Sequence, residues 1–247
     1  IKKKLDKVFK QRSLQRSNRK KNIIPTVSFI GYTNVGKSTL FNYLTKSDVF
    51  AEDMLFATLD PTLRRIKMET LGTVVLADTV GFIRDLPHDL VAAFRATLEE
   101  TRQADLLIHV VDSSHPEKTE MIHSVNSVLR SLNAQDVPVL LVYNKIDVSG
   151  DNARLVRGAD GLPTKVYMSA DKCEGVDLLE AAIIELLSNK FLSIRVPLKP
   201  SQSKVRAKLY SIGAVVNEEV SDDGDLLLDI KIKLSVYRKL LSDFSIK

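Results

Sequence analysis

The chain has 247 residues, of which 44% are hydrophobic and 27% charged, with Cys173 as its one cysteine. This composition supports a sizeable α/β core plus a smaller appendage and argues against wholesale disorder, while a lone cysteine excludes an intrachain disulfide or a cysteine-rich metal site. The net charge of +5 is uneven: residues 1–22 hold ten Lys or Arg against Asp6 alone, a local +9, leaving 26 basic against 30 acidic residues, or −4, in the remainder.

In the basic stretch Ile1, Leu5, Val8 and Phe9 recur at helical spacing. It is expected to be a helix fraying toward Ser17-Asn18 and ending before Pro25. Its charge fits either a salt-sensitive contact with RNA or a solvated helix end. The chain begins at Ile1 and shows no apolar signal core, so it reads as a piece of a longer cytoplasmic protein. The longest apolar runs, Leu106 to Val111 and Val137 to Tyr143, are strand-sized and interrupted by His109 or Pro138, so no membrane span is expected.

Thr26 to Ile30 reads as a buried strand leading through a Gly-bearing turn into a helix at Lys37 to Leu44. Leu63 to Glu69 and Thr73 to Ala77 read as a hairpin, followed by helical periodicity from Asp89 to Arg102. Strand 105–111, helix 118–132, strand 137–143, strand 166–169 and helix 176–187 complete an alternation that implies a mostly parallel sheet between helices. The change of composition over Ser188 to Pro200 marks a domain boundary. Beyond it, a helix at 203–210, a hairpin turning at Asp222-Asp223-Gly224 and a helix at 235–241 read as a small α+β unit. The expected organisation is a basic segment 1–22, a nucleotide domain 23–190 and an α+β domain 191–247.

Three motifs carry chemistry. Gly31-Tyr32-Thr33-Asn34-Val35-Gly36-Lys37-Ser38 fits G-x-x-x-x-G-K-[ST], a loop whose backbone N–H groups cradle phosphates at a helix start. Asn34, Val35, Gly36, Lys37, Ser38 and Thr39 are the expected contacts, with Lys37 reaching the β- and γ-phosphates and the Ser38 hydroxyl on Mg²⁺. Asp78-Thr79-Val80-Gly81 follows a buried strand, where Asp78 can hold the Mg²⁺ shell through water and the Gly81 N–H can sense the γ-phosphate. Asn144-Lys145-Ile146-Asp147 closes another strand. Its Asp147 carboxylate can accept from the guanine N1–H and exocyclic amine, which adenine does not offer in that geometry. Asn144 would brace the loop, the Lys145 stem would lie over the base, and Ser169-Ala170 would supply a backbone N–H for the guanine carbonyl. Together these define a P-loop GTPase domain that binds GTP and GDP, with Lys37 and Gly81 among its catalytic residues. Thr58 and Thr62 are alternative second hydroxyls for Mg²⁺.

These motifs, with Leu55-Phe56-Ala57-Thr58-Leu59-Asp60-Pro61-Thr62, Phe82-Ile83, Leu86-Pro87-His88-Asp89-Leu90-Val91 and Phe94-Arg95-Ala96-Thr97-Leu98, resemble the bacterial HflX GTPase family over residues 23 to about 190. The resemblance selects Thr58 as the Mg²⁺ ligand and third catalytic residue. It implies a cytoplasmic, partly ribosome-associated monomer that binds the large (50S) ribosomal subunit and its RNA, splits stalled or stress-inactivated 70S ribosomes, and hydrolyses GTP under ribosomal stimulation. It also implies that most of the family's N-terminal domain is missing here. Asn34 stands where potassium-dependent GTPases of the translation-factor class hold K⁺, which makes K⁺ a second candidate cofactor.

Phe82 stands where Ras-like GTPases carry the Gln that orients the attacking water, so slow intrinsic turnover is expected. His88 is the other side chain weighed as a base there, against an exposed or packed role. Two further functions stay open on the residues: a GTP-gated ribosome or RNA-binding module with negligible hydrolysis, and a GTPase of ribosome assembly or tRNA modification.

Overall fold

In the computed structural model the described residues are 24–46, 62–79, 81, 101–221 and 224–244. The basic segment 1–22, Thr58, Phe82, His88 and most of the helix expected at 89–102 lie outside them. The described chain divides into two compact units, one of Pro25–Leu187 and one formed chiefly from Ser188 onward.

The first unit runs β1 (Thr26–Ile30), α1 (Lys37–Thr45), β2 (Thr62–Met68), β3 (Gly72–Asp78), β4 (Leu106–Asp112), α2 (Lys118–Ser131), β5 (Val139–Asn144), α3 (Ile146–Ser149), β6 (Arg154–Arg157), β7 (Pro163–Tyr167) and α4 (Val176–Ser188). Its seven-stranded sheet has the order β2-β3-β1-β4-β5-β7-β6. The inner pairs are parallel, and the two edge strands, β2 and β6, run antiparallel to their neighbours. Successive strand residues face opposite sides, which is why β1 holds helices on both. Phe29 meets Phe41 of α1 edge-on at 6.1 Å, whereas Ile30 packs in a cluster with Leu107, Val125 and Leu129, the last two from α2.

Three elements here differ from the sequence reading. Strand β6 and the one-turn α3 fill the connection between β5 and β7, where no element is expected; four strand residues are too few to show a period. Strand β7 ends at Tyr167, because Ser169 turns out of the sheet to exchange backbone hydrogen bonds with Glu174 at 2.9 and 3.0 Å.

In the second unit, the stretch read as a boundary forms β8 (Phe191–Leu198). A 3-10 turn, α5 (Ser203–Ser211), β9 (Val215–Val220), β10 (Leu226–Lys233) and α6 (Leu234–Phe244) follow. The strands form an antiparallel sheet in the order β8-β10-β9. Leu228, Ile230 and Ile232 of β10 are buried, as are Val205 and Leu209 of α5 and Leu240 of α6, so alternation along β10 gives the sheet one apolar face.

Candidate nucleotide-binding site

The parallel strands deliver every chemistry-bearing motif to one end of the sheet. Ile30, Asp78, Asp112 and Asn144 close β1, β3, β4 and β5, and Ser169 lies just past β7. Ligands of open α/β sheets bind outside the carboxyl ends of the strands.

The loop after β1 bends at Asn34 (φ 59°) and Gly36 (φ 92°), both in the left-handed region. At Gly36 a Cβ would collide with the Asn144 side-chain nitrogen, so the position requires glycine. Gly36 is also the N-cap of α1, where no side chain caps the helix and no acidic residue occupies the first turn. The start of α1 thus presents backbone N–H groups and the positive end of the helix dipole to an anion.

Lys37 is buried, and its ammonium donates to the Tyr32 carbonyl. Burial lowers its pKa to about 8, against an opposing pull from the Asp78 charge. A phosphate would add its negative charge to that of Asp78 beside this ammonium. Ser38 Oγ donates to Asp78 Oδ2 at 2.8 Å, bringing two hard oxygen donors together at a buried strand end. That pair fits Mg²⁺, which keeps waters and takes substrate phosphate oxygens instead of a full protein cage. No cluster of three or more His, Cys, Asp or Glu suited to a metal occurs among the described residues.

Gly81 is brought against the phosphate loop. A Cβ there would lie 2.8 Å from the Thr33 side chain and 2.9 Å from its backbone, closer than a side chain tolerates. Two residues earlier, the buried Thr79 hydroxyl donates to the Phe29 carbonyl and ties this segment to β1.

On the base side, Asn144 spans two loops. Its Nδ2 donates to the Val35 carbonyl at 2.9 Å, and its Oδ1 accepts the Ala170 N–H at 2.8 Å. Lys145 adopts φ 65° and places its ammonium 2.8 Å from Asp112 Oδ2. Asp147 lies exposed in the first turn of α3. Ser169 is fully buried, and its Oγ accepts the Lys172 N–H at 3.1 Å, which closes the 169–174 loop.

A family model described as "50S ribosome-binding GTPase" matches residues 26–145. Over 241 residues the chain is 46% identical to the GTPase HflX of Escherichia coli (strain K12), covering 97% of this chain and 57% of that protein. The chain belongs to the HflX family of GTPases. The HflX of Magnetococcus marinus is 45% identical over 92% of the chain and 52% of its own length, so the chain spans little more than half of these curated relatives. Among solved structures, a GTP-binding protein of Sulfolobus solfataricus in complex with GDP is 31% identical with a TM-score of 0.53, covering 76% of this chain and 58% of that one.

Two residues of this HflX-family site were not singled out from sequence as parts of it. Asp112 ends β4 in register with Asn144. Burial alone would raise its carboxyl pKa, but hydrogen bonds from Lys145 and Ser114 hold it below the ordinary value. A carboxylate at the end of an apolar strand is the signal that would have marked it. His109 faces Ile30 and Leu141 in register, and its buried Nδ1 has no hydrogen-bond partner among the described residues. Burial, followed by the nearby positive charge of Lys37, lowers its pKa to about 4, so this imidazole is neutral. Its signal was a polar residue interrupting an otherwise apolar strand.

Proposed function

We propose that this chain binds GTP with Mg²⁺, hydrolyses it slowly on its own, and acts as a nucleotide-controlled switch on the large ribosomal subunit. There hydrolysis is stimulated, and stalled or stress-inactivated 70S ribosomes are split. The observation that carries the nucleotide reading is the Asn144 amide, which holds Val35 and Ala170 at once and so fixes a phosphate loop and a base loop at a set separation. The family-model description supports the ribosomal partner.

In this reading the N–H groups of Val35 through Thr39 surround the phosphates, and Lys37 neutralises charge at the β- and γ-positions. Ser38 and Thr58 give hydroxyls to Mg²⁺, with Asp78 acting through water. The bound ion supplies further neutralisation of the phosphate oxygens. The Gly81 N–H contacts the γ-phosphate, and Asn34 is the ligand offered to K⁺. Asp147 accepts from guanine N1–H and the exocyclic amine, while the Ala170 N–H serves the carbonyl. Phe82 has no group with which to hold the attacking water, so that water is positioned by switch backbone, by a cation at Asn34 or by the ribosome.

Residues 23–190 are assigned to the GTP-binding domain, between the basic segment 1–22 and the α+β domain 191–247. The protein works in the cytoplasm as a monomer; no described helix is long and apolar enough to cross a membrane. Two measurements test the reading. Displacement of a fluorescent guanine nucleotide by GTP but not by ATP is expected. So is co-sedimentation with purified 50S or 70S particles under a GTP analogue and not under GDP. Equal displacement by ATP defeats the guanine assignment. Pelleting with assembly precursors only defeats the mature ribosome as partner, and nucleotide-gated pelleting without detectable hydrolysis reduces the protein to a binding module.

A further inference from the structure

Among the described residues strand β2 pairs with β3 alone, which makes it one edge of the main sheet. Arg64, Arg65 and Lys67 lie on it, and all three are exposed. Arg64 and Arg65 face opposite sides of the sheet, with Lys67 on the side of Arg65, so positive charge flanks the edge from both directions. Among the described residues none of the three has a carboxylate partner; the one hydrogen bond of Arg64 runs to the Leu63 carbonyl at 3.4 Å. Glu69, two residues on, forms no ion pair with them.

Charged side chains on an edge strand are an ordinary defence against edge-to-edge pairing. The other edges of this molecule accomplish that with neutralised charges. On β6, Arg154 lies 3.5 Å from Asp151 and Arg157 lies 2.7 Å from Glu185. On β8, Arg195 lies 2.7 Å from Asp229 and 3.4 Å from Glu219. Blocking an edge therefore does not explain three uncompensated cations within four residues of β2.

We propose that the β2 edge is an RNA-contact surface, on which Arg64, Arg65 and Lys67 hold phosphates of a structured RNA backbone. This deepens the ribosomal reading above by naming the surface. RNA is favoured over an acidic protein or an anionic membrane because the hairpin offers no apolar anchor. Among the described residues the exposed large hydrophobic side chains, Tyr43, Val148, Tyr210, Val216, Val220 and Val236, all lie off it. Protein interfaces carry a desolvated apolar core and membrane surfaces take an apolar face, whereas a phosphate backbone asks only for positive charge and donors. Two of the three residues are arginines, whose forked donors match phosphate in pairs.

The test compares the 247-residue chain with its Arg64→Gln/Arg65→Gln/Lys67→Gln variant. A short RNA duplex is titrated in parallel at salt concentrations from about 50 to 200 mM, where phosphate contacts show as a log–log slope. Loss of three contacts is expected to reduce that slope by about two to three and the affinity by about tenfold or more. Fluorescent GDP affinity and melting temperature should not move, and Arg64→Lys/Arg65→Lys should keep the slope. A slope and affinity equal to wild type, or no duplex binding by wild type, overturns the assignment. So does a loss confined to polyglutamate or to phosphatidylserine vesicles. Purified large subunits serve as a separate probe. If wild type fails to pellet with them while the duplex slopes still differ, the ribosomal reading falls and the edge assignment stands. If both proteins pellet equally and the slopes agree, the edge assignment falls and the ribosomal reading stands.

Discussion

The two units treat polar side chains in opposite ways. Within Pro25–Leu187 polar side chains are buried at the amino ends of strands (Thr26, Asp105), within them (Ser28, His109), and at or beyond their carboxyl ends (Lys37, Asp78, Thr79, Ser113, Asn144, Ser169). From Ser188 onward no polar side chain is buried among the described residues, and charge is carried outside in pairs such as Arg195–Asp229 and Arg206–Glu218. Burying polar groups costs stability unless each finds a partner. The first unit accepts that cost, and the proposed nucleotide would supply partners to the groups gathered at the carboxyl ends of its strands. The second buries apolar groups only.

The comparison is best broken at its most burdened residue. Lys37→Ala is expected to lower single-turnover GTP hydrolysis by about 10³-fold, as removal of a preorganised transition-state donor does. A loss of less than about tenfold would mean that the buried ammonium is structural. Asn144→Ala leaves the Val35 carbonyl and the Ala170 N–H without their partner. Two orphaned buried groups should cost about 4 kcal/mol in urea unfolding of the nucleotide-free protein. An unchanged midpoint would show that the two loops hold themselves.

His109 sharpens the comparison through pH. Its pKa falls from 6.5 to about 4 in the folded chain, so between those values the unfolded state binds more protons and stability drops as pH falls. Above pH 6.5 the residue contributes no pH dependence. Acidification through the window should remove about 3 kcal/mol. The difference between wild type and His109→Leu, followed by urea unfolding across that range, measures it, and parallel stability curves would refute it. The smallest effect is expected in the second unit. Arg195→Ala removes exposed ion pairs to Asp229 and Glu219, which solvent screens, so the urea midpoint should stay within error.

The site was legible because its motifs combine rare residue types with fixed spacing. Gly36, Lys37 and Ser38 must follow a strand and open a helix, and a linear pattern contains both facts. The partners of those residues were harder to read. Nothing in the sequence pairs Lys145 with Asp112 or Asn144 with Val35, because each contact joins segments far apart in the chain. In the fold, β8 was hidden by Pro197, which reads as a breaker. As an edge strand paired with β10 alone among the described residues, β8 can accept a residue that has no N–H to donate. Strand β6 was missed for its brevity, and the cations of β2 drew no notice because only the absence of neighbouring carboxylates distinguishes them.

The Asn144 amide has one more consequence. Since a single planar group is bonded to both loops, the span between phosphate pocket and base pocket is a built-in gauge, set before any ligand arrives. Under the proposed function, a nucleotide would be measured for length as well as read for its base. A free nucleoside or a free pyrophosphate, each filling one pocket, would forgo the chelate advantage that the whole molecule gains from a frame already cut to its size.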